Sequence, residues 1–249
     1  MECDVLRMVR NDEEYSKYFV RLKSFFSVDL SVFIVTELLD ADLLHIIQQS
    51  SDRGLPHNQI ILISRQVLKA LSFLHSHRTI HGDLKPENVM LKIRNRKPAT
   101  KNRSNSLIER NCNVNYCHVK LIDFGSCCAE RKNLFSYFQS RYYRAPEVAL
   151  IDANRFVSCK IDIWSAGCLF YEMKEKVPLF EAKDQTALLE MIIARIGLPS
   201  TQQNLMNLLE KNTNMKEILI RHKHKRMDKM KRGKVKLGNI NVENSNFSS

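Results

Sequence analysis

The sequence predicts an α+β fold: a mostly helical body preceded by a short helix and one β-hairpin. Three observations lead there. Residues 57–77 place Ile60, Ile63, Val67, Leu71 and Leu74 at helical spacing. Segments 161–175 and 185–196 repeat that period. Residues 18–26 instead alternate around Val20 and Leu22, and 31–36 form a compact apolar run, as paired strands do.

Taken in order, residues 2–10 are helix-compatible, with Val5, Leu6 and Val9 on one side. The strand at 18–26 is expected to pair with 31–36, read as a buried strand, through a turn at 27–30. Pro56 suits the start of the long helix. Residues 81–88 then form a loop on a helical platform. Short strands at 89–93 and 119–122 flank a polar, basic, Asn-rich insert at 94–118. The helix at 161–175 is expected to turn Trp164, Cys168 and Tyr171 inward. The helix at 185–196 uses Leu188, Leu189, Ile192 and Ile196, and Gly197-Leu198-Pro199 stops it. A weak amphipathic stretch spans 205–219. Residues 221–249 are Lys- and Asn-rich and are expected to lack regular structure. No internal repeat is visible.

A chain of 249 residues with 44% hydrophobic content can bury a sizeable core. No apolar run approaches the ~20 residues that span a bilayer. The acidic start lacks the apolar region of a signal peptide, so no membrane association is expected. Seven cysteines, an odd number without a secretory signal, fit free thiols in a reducing compartment. Cytosol, with nuclear entry as an option, is the expected location. Cys112, Cys117 and His118 stand close in sequence, but no second ligand pair accompanies them, so unpaired loop thiols are the preferred reading. The net charge of +12 is concentrated at 92–103 and 221–236. Neither block interleaves aromatics for base stacking, which favours solvated basic segments over a nucleic-acid site.

Chemistry concentrates in three strings. Residues 80–91 read Ile-His-Gly-Asp-Leu-Lys-Pro-Glu-Asn-Val-Met-Leu, Asp-Phe-Gly occupies 123–125, and Ala-Pro-Glu occupies 145–147. Phosphoryl transfer from a metal nucleotide needs a carboxylate at the attacking hydroxyl and a second one on the metal. It also needs an amide to complete the metal shell and a lysine to neutralise the transferred group. Asp83, Asp123, Asn88 and Lys85 stand in that order of roles. Each short string alone is weak; three in sequence are specific.

On these strings the chain resembles a eukaryotic protein kinase. The run Ser-Tyr-Phe-Gln-Ser-Arg-Tyr-Tyr-Arg-Ala-Pro-Glu at 136–147 and Asp-Phe-Gly-Ser-Cys-Cys at 123–128 narrow the likeness. They resemble the CMGC group, and within it the dual-specificity tyrosine-phosphorylation-regulated kinases. The likeness covers roughly residues 1–199. It implies a kinase-like, mostly helical large lobe (40–199) and a reduced small lobe (1–39) of helix remnant plus β-hairpin, followed by a polar, basic tail (200–249). It implies ATP and Mg2+ as cofactors and a protein substrate. Asp83 would be the catalytic base, Lys85 would meet the γ-phosphate, and Asn88 and Asp123 would hold the metal. Glu37 and Leu39 would offer hinge backbone to the adenine. Thr36 would gate the rear pocket, Asp42 would lie near the ribose, and Met90 and Ile122 would form the pocket floor. Tyr137 would be an autophosphorylated tyrosine, with Arg141 and Arg144 nearby to pair its charge. His81 would pack near Phe124, and Asp162 with Trp164 would anchor the catalytic loop. Gly82 stands where many kinases have arginine, so no loop arginine is expected to capture a phosphate.

Both ends depart from that pattern. No glycine precedes Gly54, so the Gly-rich phosphate loop is missing, as is the strand lysine that grips the α- and β-phosphates. Glu2 matches the glutamate that this lysine would pair. No arginine after residue 200 clearly matches the one expected to pair Glu147. The reading is a truncated kinase transferring phosphate to Ser/Thr with tyrosine autophosphorylation. The alternatives left open are an impaired kinase acting as a scaffold and an incomplete gene model. Substrate and oligomeric state are not legible.

Overall fold

The computed structural model describes residues 2–51, 53–93, 117–130, 138–150 and 157–197. Residues Met1–Leu198 form one compact unit. The helix α1 (Glu2–Arg10) opens it. Its acids Glu2 and Asp4 lie in the first turn and Arg7 and Arg10 in the last, matching the helix dipole. Val5, Leu6 and Val9 form its buried stripe, as the spacing predicts.

A 3-10 turn at Ser16–Tyr18 comes next, then β1 (Leu22–Val28) and β2 (Ser31–Thr36). They pair antiparallel from Leu22–Thr36 to Val28–Ser31 around a tight turn at Asp29-Leu30. The expected strand at 18–26 thus begins four residues late. The fully buried Phe19 and its neighbour Val20 turn away from the hairpin to meet Leu121, with Val20 N donating to Leu121 O at 3.0 Å. The hairpin is also more exposed than its composition predicts. Phe25, Phe26, Val28, Leu30, Val32, Phe33 and Val35 are all exposed. Among the described residues no third strand joins this two-stranded sheet, so most of the apolar run at 31–36 stays exposed and, of its apolar side chains, Ile34 packs against the core.

The short strand β3 (Ala41–Asp42) leads into α2 (Leu43–Gln49), which the periodicity does not reveal because it is brief. Then α3 (His57–Ser76) runs through the middle of the core. The strands β4 (Thr79–Ile80), β5 (Val89–Ile93), β6 (Cys117–Leu121) and β7 (Cys128–Ala129) follow. They form a three-stranded sheet β3-β5-β6 and a separate pair β4-β7. After the four-residue α4 (Pro146–Ala149) come α5 (Lys160–Glu175) and α6 (Gln185–Ile196). Asp184 caps α6 by accepting from Ala187 N at 2.8 Å, and Gly197, at φ 91, ends it.

One hydrophobic core extends from Val5 through Leu71 and Leu121 to Met173, continuous across the 39/40 boundary. Two helix faces differ from expectation. Trp164 and Tyr171 are only half-buried: Trp164 stacks on Phe180 at 5.8 Å, and Tyr171 lies under the Arg195 guanidinium. Ile193, not Ile196, completes the buried face of α6, and Ile196 is exposed on its last turn. No described helix is long and apolar enough to cross a membrane. The stretches 205–219 and 221–249, and the Cys112 position, lie outside the described residues.

Candidate active site

The loop after β4 is held from below by one carboxylate. Asp162, in the first turn of α5, is fully buried and accepts from His81 N at 2.8 Å and Gly82 N at 3.0 Å. His75 Nε2 donates to it at 2.9 Å. Three donors on one buried carboxylate fix the loop backbone. Gly82 is required here. Its φ is 79, and a Cβ would fall 2.4 Å from a Phe138 ring carbon and 2.8 Å from Ser126 O.

His81 is fully buried and lies edge-on to Phe124 at 5.4 Å. Its Nε2 donates to Ile122 O (3.2 Å) and its Nδ1 accepts from Asp83 N (3.3 Å), an assignment set by the hydrogen-bond network. Burial pushes its pKa down despite the pull of Asp162, so the ring is neutral. His81 is a spacer that orients Asp83 through its backbone.

Asp83 is the centre of the cluster. Its Oδ2 accepts from Lys85 Nζ at 2.7 Å and from Asn88 Nδ2 at 3.2 Å. Its Oδ1 accepts from Ser140 Oγ at 2.6 Å and Ser140 N at 3.3 Å. Burial pushes the Asp83 pKa up, but the Lys85 and Ser140 hydrogen bonds outweigh it and hold the carboxyl below its usual range. Burial lowers the Lys85 pKa, and the bond to Asp83 more than reverses this, so the amine stays charged. The 3-10 turn Pro86–Asn88 brings Asn88 round to donate to Asp83 O at 2.8 Å. That fixes the amide nitrogen on Asp83 and leaves the amide oxygen as its acceptor end.

Asp123 adopts φ 59, a strained backbone for a residue with a side chain, and keeps an exposed carboxylate. Gly125 N donates to it at 3.3 Å. Asp123 acts electrostatically on both Lys85 and His81, as Asp83 does, so the two carboxylates belong to one corner. A Cβ on Gly125 would come within 3.3 Å of Asp123 Oδ1 and 3.9 Å of Glu2 Oε2, which brings the α1 glutamate to the same place. The donor set, the Asn88 amide oxygen and the exposed Asp123 carboxylate, is all hard oxygen and fits a magnesium ion that keeps phosphate and water ligands.

The other nucleotide candidates separate into two groups. Asp42 and Met90 are cross-strand partners in β3 and β5. Ile122 joins them from β6's end, its N donating to Asn88 O at 3.1 Å. Asp42 also caps α2, accepting from His45 N at 2.8 Å. Leu39 is buried in the main core, and the Thr36 hydroxyl reaches only Glu37 O, at 3.4 Å. The Glu37 side chain is committed elsewhere. It is buried in ion pairs with Lys120 (2.8 Å) and Lys92. Burial alone would raise its pKa, but those two lysines lower it to about 2. Its N–H is already used on Arg21 O at 2.9 Å.

Tyr137 lies outside the described residues. Arg144 is not a free phosphate receptor: it is buried, with Nη2 and Nε on Gln139 O (2.8 and 3.3 Å) and Nη1 on Gln185 Oε1 (3.0 Å). Its fork instead holds Gln139 at φ 62, a residue whose own amide bridges Ile161 O, Ser165 Oγ and Ala145 N. Arg141 donates to Lys183 O at 2.7 Å. Burial raises the Glu147 pKa, and the segment expected to hold its arginine lies outside the described residues. Sequence reasoning missed the Ser140 contact and the Glu37–Lys120 pair. Ser140 sits within the quoted Gln-Ser-Arg run, the only signal available for it.

The protein kinase domain family matches residues 1–233. The chain is similar to the serine/threonine-protein kinase ppk15 of Schizosaccharomyces pombe, 34% identical over 81% of this chain and 34% of that protein. It is similar to dual specificity tyrosine-phosphorylation-regulated kinase 3 of Homo sapiens, 33% identical over 76% of this chain and 28% of that protein. With the dual specificity protein kinase YAK1 homolog of Arabidopsis thaliana it shares 35% identity over 75% of this chain and 17% of that protein. The chain therefore spans about a third or less of the length of these relatives.

Proposed function

The chain belongs to the protein kinase family, and from that premise we propose that it transfers the γ-phosphate of ATP to serine or threonine hydroxyls of a protein substrate. Autophosphorylation of Tyr137 is part of the same proposal. The observation that carries it is the Asp83 carboxylate, one oxygen held by Lys85 and Asn88 and the other already accepting from an alcohol, Ser140.

A substrate hydroxyl takes that contact on Oδ1, aligned for attack, and Asp83 receives its proton as the oxygen bonds to phosphorus. Lys85, charged and 2.7 Å from Asp83, offsets negative charge on the group in transit. Asn88 and Asp123 are the residues that would hold magnesium, which neutralises the phosphates when bound. The decisive experiment follows γ-phosphate transfer to a generic basic protein by the full chain and by Asp83→Asn. Transfer that vanishes in the variant supports the reading, and equal signal from both overturns it. A melting-temperature titration with Mg-ATP separates a chain that binds nucleotide without turnover from one that does neither.

A further inference from the structure

A second concavity lies behind the hinge segment, away from Asp83 and Asp123. It has a volume of about 390 Å³, within the range of ligand sites. Its floor is aliphatic: Leu6 and Val9 from α1, Val20 and Leu22 from the chain leading into β1. Its walls are basic: Arg10, Lys17, Arg21, Lys92 and Lys120, against a single carboxylate, Glu37. Glu37 is already shared between Lys92 and Lys120, so it cannot neutralise the other three. Lys120 is also nearly buried, and its Nζ donates to Phe19 O at 2.7 Å. Gathering like charges around an apolar floor is unfavourable unless an anion answers them.

We propose that this cavity docks an acidic peptide segment of a partner protein, one aliphatic or aromatic side chain entering the floor and flanking carboxylates meeting Arg10, Lys17 and Arg21. A peptide fits better than a nucleic acid because the lining contains no Phe, Tyr or Trp face on which successive bases could stack, His118 being its one ring. It fits better than a small anion because the floor is aliphatic, Leu6, Val9, Val20 and Leu22, and calls for an apolar side chain beside the charges.

The test is fluorescence anisotropy of the full chain with a labelled peptide in which one leucine is flanked on both sides by glutamates. Two competitors are a peptide with that leucine replaced by glycine and a single-stranded oligonucleotide of equal charge. Saturable binding is expected, weakened by about tenfold or more when Arg10→Glu and Arg21→Glu are combined. Both residues are exposed, so the melting temperature of the variant should stay near that of the parent. The glycine peptide should compete poorly. Undetectable binding, binding indifferent to the charge reversals, or equal competition by the glycine peptide overturns the proposal. So does preferential binding of the oligonucleotide.

Discussion

The hydroxyl of Ser140 donates to Asp83 Oδ1 at 2.6 Å while accepting from Lys85 Nζ at 3.2 Å, closing a three-membered ring of side chains. The contact ties the segment at 138–150 to the loop that carries Asp83. Replacing Ser140 with alanine removes one of the two side-chain hydrogen bonds, from Lys85 and Ser140, that hold the Asp83 carboxyl down, so its pKa should rise. In the proposed role Asp83 works as the carboxylate, so transfer should fall as pH drops through its pKa. The acid limb of the pH–rate profile should therefore move to higher pH in Ser140→Ala, with a loss of about tenfold at neutral pH. Ser140→Thr should restore both, and a limb that stays put would refute the link.

Asp83→Asn should abolish transfer by roughly two to four orders of magnitude. Its effect on stability should be small, because an amide in the same place still accepts from Lys85 or Ser140. Steady-state kinetics alongside urea unfolding will distinguish this outcome from a folding defect.

Gly82→Ala should lower stability by about 2–3 kcal/mol, combining left-handed strain with a forced shift of the Phe138 ring. Adding Phe138→Leu should recover only part, since the Ser126 carbonyl remains 2.8 Å from the new methyl. Full recovery in the double variant would show that the ring alone sets the limit.

Lys120→Met should cost about 3–5 kcal/mol by leaving the buried Glu37 carboxylate with the half-exposed Lys92 and the Arg21 N–H. Lys120→Met combined with Glu37→Gln should recover much of that. The native pair also predicts a pH signature. Glu37 has a folded pKa of about 2 against an ordinary 4.5. Its stabilisation is thus complete above the ordinary value and is lost as pH falls from 4.5 towards 2. Acid unfolding of Glu37→Gln should show a weaker dependence across that window.

Asp162→Ala, in α5, should be the most damaging single change to the support of the loop that carries Asp83. It strands two buried backbone donors, His81 N and Gly82 N, and releases His75. A cost of several kcal/mol is expected, on the order of 3–5. Hydrogen exchange at Gly82 should accelerate along with the global loss measured by thermal unfolding.

Much of this site is legible because its chemistry is local. Asp83, Lys85 and Asn88 lie within six residues, and a loop closed by a 3-10 turn brings them together without help from distant parts of the chain. The helices at 57–77 and 185–196 are legible for the same reason, since a 3.6-residue period is written along one segment. The Glu37–Lys120 pair joins the residue just after β2 to one in β6, and neither residue differs locally from an ordinary surface charge. The exposure of Phe25, Val32 and Phe33 was equally hidden, because an apolar strand looks the same whether or not a neighbour covers it. Arg144 read as a surface partner for phosphate, but its burial against Gln139 and Gln185 depends on how α6 packs beside it.

By itself the order of residues determined which groups could do chemistry, the family they indicate, and the helices that form their platform. Those properties depend on side chains a few positions apart, where backbone geometry leaves little choice. The folded chain alone decided that Ser140 closes on Asp83, that Asp162 holds the loop from beneath, and that five cations ring a cavity behind the hinge. Those are relations between segments tens of residues apart. They are set by how the core packs, and packing is a property of the whole compact unit that no local pattern records.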